Sequence, residues 1–219
     1  MKGSDLGTVM QTSLDHLVVV APTLDAGDRF VSQRLGVELQ QGGSHSLMGT
    51  HNKLLGLGTS FYLEVIAIDP AAPPVGRPRW FALDGLPDNA SPRLAHWVAR
   101  TDTLISLGSM FAEVVGQPQP MSRGELSWDI TILADGRLPL GGAAPSLIQW
   151  GQPAHPAAML EDRGCSLQML DIFHPAPERI SHLLDAMNFS GPVRLHRCDG
   201  IEASRLVSCI ETPAGLRNL

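Results

Sequence analysis

Residues 14–21 read LDHLVVVA, and residues 94–101 read LAHWVART. Each is an apolar run with a histidine in its third position and no helix breaker inside it, which is the pattern of a mostly buried strand. Outward from the first, Thr23 can cap a helix whose Leu24, Phe30, Val31 and Leu35 share one face, with Gly36 placed to stop it. Three strands are then predicted between Val37 and Asp69: VELQQGG, a piece near THNKLLGLG, and SFYLEVIAID, the strongest. Outward from the second, Thr101 or Asp102 can cap a helix with Leu104, Leu107, Phe111 and Val114 on its apolar face and Gly116 at its end. ELSWDITIL and PSLIQWG follow as strands, and the short middle strand is the weakest element of the unit. A β-α-β-β-β order thus occurs twice, at 12–70 and 93–151. The connector at 71–92 between the two units is rich in proline, which removes backbone donors and fixes φ.

A third start follows at SLQMLDIFH, residues 166–174. Pro177 suits the first turn of a helix, Ile180, Leu183, Leu184 and Met187 form its apolar stripe, and VRLHRC and RLVSCIET read as strands. This makes an incomplete βαββ unit over 165–219. Each unit has a sheet face that it cannot cover alone, so repetition implies that the units pack on one another. The expected class is α+β.

Composition excludes several functions. The chain has 219 residues, 43% hydrophobic and 17% charged, with net charge -6, which is enough apolar matter for a sizeable core. Aromatics are 5%, and 16 Lys and Arg face 22 Asp and Glu, a poor endowment for a nucleic-acid binder. The longest apolar runs are of strand length, far below the roughly 20 residues of a membrane span. The first residues, MKGSDLGTVMQTS, contain no apolar stretch of a secretory signal, so a cytoplasmic location is expected. Cys165, Cys198 and Cys209 are odd in number with no CxxC pair, which suits reduced thiols. No phosphate-cradling loop, dinucleotide fingerprint, serine-hydrolase elbow or HExxH motif occurs.

Side-chain alternation puts His16, Val18 and Val20 on one face of the first strand and Asp15, Leu17 and Val19 on the other. In SFYLEVIAID it groups Tyr62, Glu64, Ile66 and Ile68, leaving Glu64 as a carboxylate in a very apolar strand, where it needs a cation, a donor or a proton. The second unit repeats the layout with His96 in its first strand and Gln149 in its last. If the paired units converge, His16, Glu64 and His96 offer a divalent metal three good ligands and Gln149 a weak one. The alternative is that both histidines are satisfied core residues and Glu64 bonds a neighbour. His45 and His51 lie in or beside the second and third strands and are candidates to line the same concavity. Asn52 can orient a substrate oxygen, and Tyr62 can hold Glu64 or close the pocket. Trp80, Trp97, Trp128 and Trp150 read as packing, and Arg77, Arg79, Arg93 and Arg100 as a candidate carboxylate-binding rim or solvated charge. In the third unit Met169 stands where His16 stands in the first, and no residue there is assigned chemistry.

The paired units, LDHLVVVA, the stretch GSHSLMGTHNKLLGLGTSFYLEVIAIDP at 43–70 and PSLIQW at 145–150 resemble the glyoxalase-like branch of the vicinal oxygen chelate superfamily. The most specific part is Gly49, Thr50 and Asn52 followed by YLE at 62–64. The resemblance implies that the two units form a cupped mixed sheet, with metal ligands at the positions of His16, Glu64, His96 and Gln149. It also implies a divalent ion (iron, zinc, nickel, cobalt or manganese) and a small-molecule substrate with vicinal oxygens, handled by a lyase, isomerase or ring-cleaving dioxygenase. Glyoxalases commonly carry a proton-moving glutamate where Gln149 stands, and an amide cannot be that base. Glu64 and His45 are therefore the expected catalytic groups, with Asn52, Tyr62 and Gln149 as substrate contacts. A different class of function is a metal-free protein using the same cup to sequester an apolar or aromatic ligand. Neither nucleic acid nor membrane is expected as a partner, and a homodimer would use a surface outside the cup.

Overall fold

In the computed structural model, residues 11–151, 155–201 and 204–219 are described. The first unit is β1 (Thr12–Val20), α1 (Leu24–Leu35), β2 (Gln40–His45), β3 (Thr50–Gly56) and β4 (Tyr62–Ile68). Helix α1 begins where Thr23 Oγ1 accepts the Ala26 N–H at 3.2 Å, and it ends at Gly36, whose φ of 72° is left-handed. The second unit is β5 (Arg93–Thr101), α2 (Leu104–Met110), α3 (Ala112–Val115), β6 (Gln117–Arg123), β7 (Leu126–Ile132) and β8 (Ser146–Trp150). In both, the first strand lies parallel to the last, and β1 and β5 pair antiparallel in the middle. The resulting order, β2-β3-β4-β1-β5-β8-β7-β6, curls until the two edge strands approach each other.

Two elements differ from expectation. The single helix predicted after Thr101 is split at Phe111, whose φ of -115° and ψ of 22° leave the helical region just after the weak helix formers Gly108 and Ser109. Strand β6 was hidden by Pro118 and Pro120; it runs along the sheet edge, where a residue needs hydrogen bonds on one side only and proline is tolerated.

The third unit is β9 (Ser166–His174), α4 (Pro177–Ala186), β10 (Phe189–Ser190), β11 (Val193–Arg197), β12 (Arg205–Thr212) and β13 (Gly215–Asn218). Its sheet runs β11-β9-β12-β13, with the first strand internal rather than central to a pair, so it does not extend the cup. The two-residue β10 instead joins the start of β1. On the convex side of the large sheet, Leu17, Val65 and Trp97 pack with Val31 and Leu107 from the helices and with Leu170, Ile172 and Ile180 from the third unit. At about 1.5–3 kcal/mol for each large side chain, this shared layer dominates the packing energy. On the concave side Val18, Val20, Ile66, Val98, Ile130 and Ile148 form a second apolar floor, which Trp80 and Phe81 close over from the connector. Among the described residues no helix is long and apolar enough to cross a membrane, and the three cysteines are free.

Candidate functional site

The concavity contains a narrow pocket. Its polar lining is His16, His45, Tyr62, Glu64 and Arg123; the rest is Trp80, Phe81, Trp128, Ile130, Ile148 and Trp150. The alternation read from β1 and β4 brings His16, Tyr62 and Glu64 here as expected. It fails at Asp15. The β1–β5 register runs from Leu14 opposite Ala99 to His16 opposite Val98, so Asp15 is the extra residue of a bulge, and the simple two-face assignment breaks there.

Asp15 is fully buried and collects three donors. Its Oδ1 lies 2.6 Å from His16 Nδ1, and its Oδ2 lies 3.0 Å from Trp150 Nε1 and 2.8 Å from His155 Nε2. Burial would raise this carboxyl, yet the hydrogen bonds and charges of His155 and His16 outweigh it and hold the group well below the usual carboxylate range. An ionised carboxylate only accepts, so His16 and His155 turn N–H groups toward it. His16 then presents Nε2 to the pocket, 3.7 Å from Glu64 Oε2, with its ring stacked on Tyr62 at 4.5 Å. Burial, then the charges of Asp15 and Glu64, keeps the Tyr62 hydroxyl protonated well above the phenol range.

Glu64 is held from its other side. Asn52 Nδ2 donates to Glu64 Oε1 at 2.5 Å, while Asn52 Oδ1 accepts the Gly43 N–H at 2.8 Å, which fixes the amide's orientation. His45 Nε2 stands 3.5 Å from Asn52 Nδ2 and Nδ1 stands 3.1 Å from Thr50 Oγ1. Burial pushes His45 down to about 4, so it is neutral near pH 7. It meets Trp80 and Trp128 edge-on.

Other expected residues go elsewhere. His96 lies behind Phe81, with ring centroids 5.3 Å apart, and does not line the pocket. Its Nε2 accepts the Ser146 N–H at 3.1 Å, and burial followed by the charge of His16 lowers it to about 3, against an opposing contact from the Gly142 backbone. Gln149 occupies the opposite face of β8 from Ile148, where its Oε1 accepts the Leu104 N–H at the start of α2. It caps the helix, because alternation in β8 turns it to the convex side, away from the pocket lining. His51 turns toward Asp69, 3.9 Å away. Of the tryptophans expected as packing, only Trp97 is remote from the pocket; its Nε1 donates to the Ala143 carbonyl. Of the expected arginine rim, Arg79 pairs with Asp84 and Arg100 bonds Ser13 and the Ser60 carbonyl. The pocket's guanidinium is Arg123, on the strand the sequence reading missed. Asp15 and His155 were missed as well. The one available signal was an Asp-His pair inside an otherwise apolar strand.

A curled mixed sheet of two βαβββ units around a polar cluster defines the glyoxalase-like fold of the vicinal oxygen chelate superfamily. The chain belongs to the glyoxalase-like domain family, whose model matches residues 14–187. A hypothetical protein from Staphylococcus aureus superposes with a TM-score of 0.63 at 15% identity, over 89% of this chain and 88% of that one, a likeness of fold. A hypothetical protein from Bacillus halodurans C-125 superposes with a TM-score of 0.44 at 12% identity, over 69% of this chain and 99% of that one. Methylmalonyl-CoA epimerase of Streptomyces coelicolor, in complex with 2-nitronate-propionyl-CoA, gives a TM-score of 0.41 at 18% identity, over 64% of this chain and 97% of that one. No curated protein matches the sequence.

The four-residue metal set does not fit this arrangement. His16 and Glu64 converge, but the lone pair of His96 is taken by a backbone N–H and Gln149 faces a helix. Among the described residues no group of three or more His, Cys, Asp or Glu side chains is disposed to hold a metal ion.

Proposed function

We propose that the cup binds a small carbonyl compound and moves a proton on it, an isomerase- or lyase-type step in which Glu64 and His16 are the exchanging pair. The observation that carries this reading is the 3.7 Å approach of His16 Nε2 to Glu64 Oε2, with each partner fixed from behind. Asp15 holds the far nitrogen of His16 and Asn52 holds the far oxygen of Glu64, so both reactive atoms face one point in a largely apolar pocket. Glu64 Oε2 takes the proton from the carbon beside the carbonyl, leaving an enolate. His16 Nε2 stands where it can give or take a proton on the adjacent oxygen, and return of a proton to carbon completes the exchange. His45, neutral and bonded to Asn52 and Thr50, positions Asn52. The aromatic walls support a second reading, sequestration of an apolar ligand without chemistry.

The test is deuterium wash-in from D₂O, followed by NMR on a panel of 2-oxo acids and uncharged methyl ketones. The native protein is expected to exchange at least one class, and Glu64→Gln and His16→Asn to slow it by about 100-fold or more. Absence of exchange, with ligand binding unchanged in both variants, overturns the proton-transfer reading in favour of sequestration. Repeating the assay after chelation, and after adding back zinc, nickel, cobalt, manganese or iron, decides whether an ion is required.

A further inference from the structure

The hydrogen-bonding inventory of the pocket is lopsided. Arg123 projects from β6 into it, and among the described residues its guanidinium has no hydrogen-bond or ion-pair partner, although it acts electrostatically on His45 and Tyr62. Trp80 is buried in the same wall, and its indole N–H also has no acceptor. Both groups are donors only, one of them cationic. The pocket's carboxylate is engaged elsewhere, since Glu64 is committed to Asn52 and faces His16. A buried donor left without an acceptor costs free energy that a ligand can recover.

The path of Arg123 is also specific. Its stem crosses the seam where the edge strands β2 and β6 approach, lying over Gly43: a Cβ at Gly43 would come within 2.9 Å of Arg123 Cδ and 3.1 Å of Cγ. The lack of a side chain at position 43 is what lets the arginine lie there. Around it, Trp128, Trp150, Phe81 and Ile130 offer no competing acceptor and suit an apolar or aromatic body.

We infer that the ligand of the cup is a small carboxylate with an apolar or aromatic body, its two oxygens taken by Arg123 with help from Trp80 Nε1. This deepens the proposed function, resting on its premise that the cup is the ligand site. A planar carboxylate matches a guanidinium fork, and its oxygens are acceptors only, complementary to both free donors.

The experiment measures, by calorimetry, the affinity of the intact protein for benzoate and for benzamide, which has the same shape without the charge. Benzoate is expected to bind about 10- to 100-fold more tightly. Arg123→Gln should abolish the preference, Arg123→Lys should keep part of it, and Trp80→Phe should reduce it. Gly43→Ala, which displaces the arginine stem without touching its charge, should weaken benzoate more than benzamide. Equal binding of the two probes, no binding of benzoate at millimolar concentration, or a preference that survives Arg123→Gln would overturn the inference. Failure of the proton-transfer reading is separable from this one. An Arg123-dependent benzoate preference with no deuterium wash-in leaves the carboxylate site standing, whereas wash-in equally fast from uncharged ketones and 2-oxo acids leaves only the proton transfer.

Discussion

Asp15 does the most to shape the site. It has no exposed surface, yet it joins His16, Trp150 and His155, which come from β1, β8 and the segment beyond it. Asp15→Asn replaces an acceptor of three donors by a group that is half donor, so a cost of about 3 kcal/mol is expected in urea unfolding, together with loss of exchange activity. A cost below that of an ordinary surface substitution would show that the three contacts contribute nothing. The same carboxyl ties stability to acid: its folded pKa is depressed, so its contribution is complete above the unfolded value of about 4 and drains away as pH falls below it. His45 and His96 add a window at higher pH. Both are buried neutral, at about 4 and about 3, against about 6.5 unfolded, so between these limits the unfolded chain binds more protons and stability falls as pH falls from 6.5. Urea midpoints at pH 7 and pH 5 should therefore differ clearly, and His96→Gln should narrow the difference. Equal midpoints would contradict the neutral burial of the two rings.

The secondary elements follow local chemistry except where an edge or a turn intervenes. Helix α1 has its start at Thr23 and its stop at Gly36, both visible in the sequence, and Thr23→Ala should cost about 1 kcal/mol, read by thermal melting. Strand β6 is the opposite case. Its two prolines argue against a strand unless the strand is known to be an edge, which is a property of the sheet and not of the segment. Because β6 was invisible, so was Arg123. The connector behaved similarly: five prolines announced an irregular path, but only the fold shows that Phe81 and Ala82, at φ of 57° and 56°, make the tight turn that closes Trp80 and Phe81 over the pocket.

In the whole molecule the third unit is a wall of the core. Leu170, Ile172 and Ile180 share one packed layer with Leu17, Trp97 and Leu107, so the two sheets should unfold together. All four tryptophans lie in residues 80–150, outside the third unit; Trp80, Trp128 and Trp150 line the cup, while Trp97 packs edge-on against Phe189 of the third unit, so together they report on the large sheet and on its contact with that unit. Ile172→Ala should lower stability by about 2–5 kcal/mol, and the tryptophan transition should shift by the same amount as the far-ultraviolet circular dichroism transition. Separate transitions would mean that the third unit is an independent body.

The paired units, the capped helix, the strong strands and the shared face of His16, Tyr62 and Glu64 were all legible in one dimension. Periodicity, caps and breakers are local, and they report which side chains leave the same face of one element. Three outcomes were decided only by tertiary structure. The bulge at Asp15 took it off the face that alternation shares with Leu17 and Val19 and made it the brace of His16. The register of β8 sent Gln149 to cap α2, and Ser146 took the lone pair of His96, dividing the expected ligands between compartments. The curl of the sheet brought Gly43 and Arg123, from opposite edges, into contact. Each depends on how strands pair and bend over long separations, an energy shared among many distant residues that no short stretch of sequence carries.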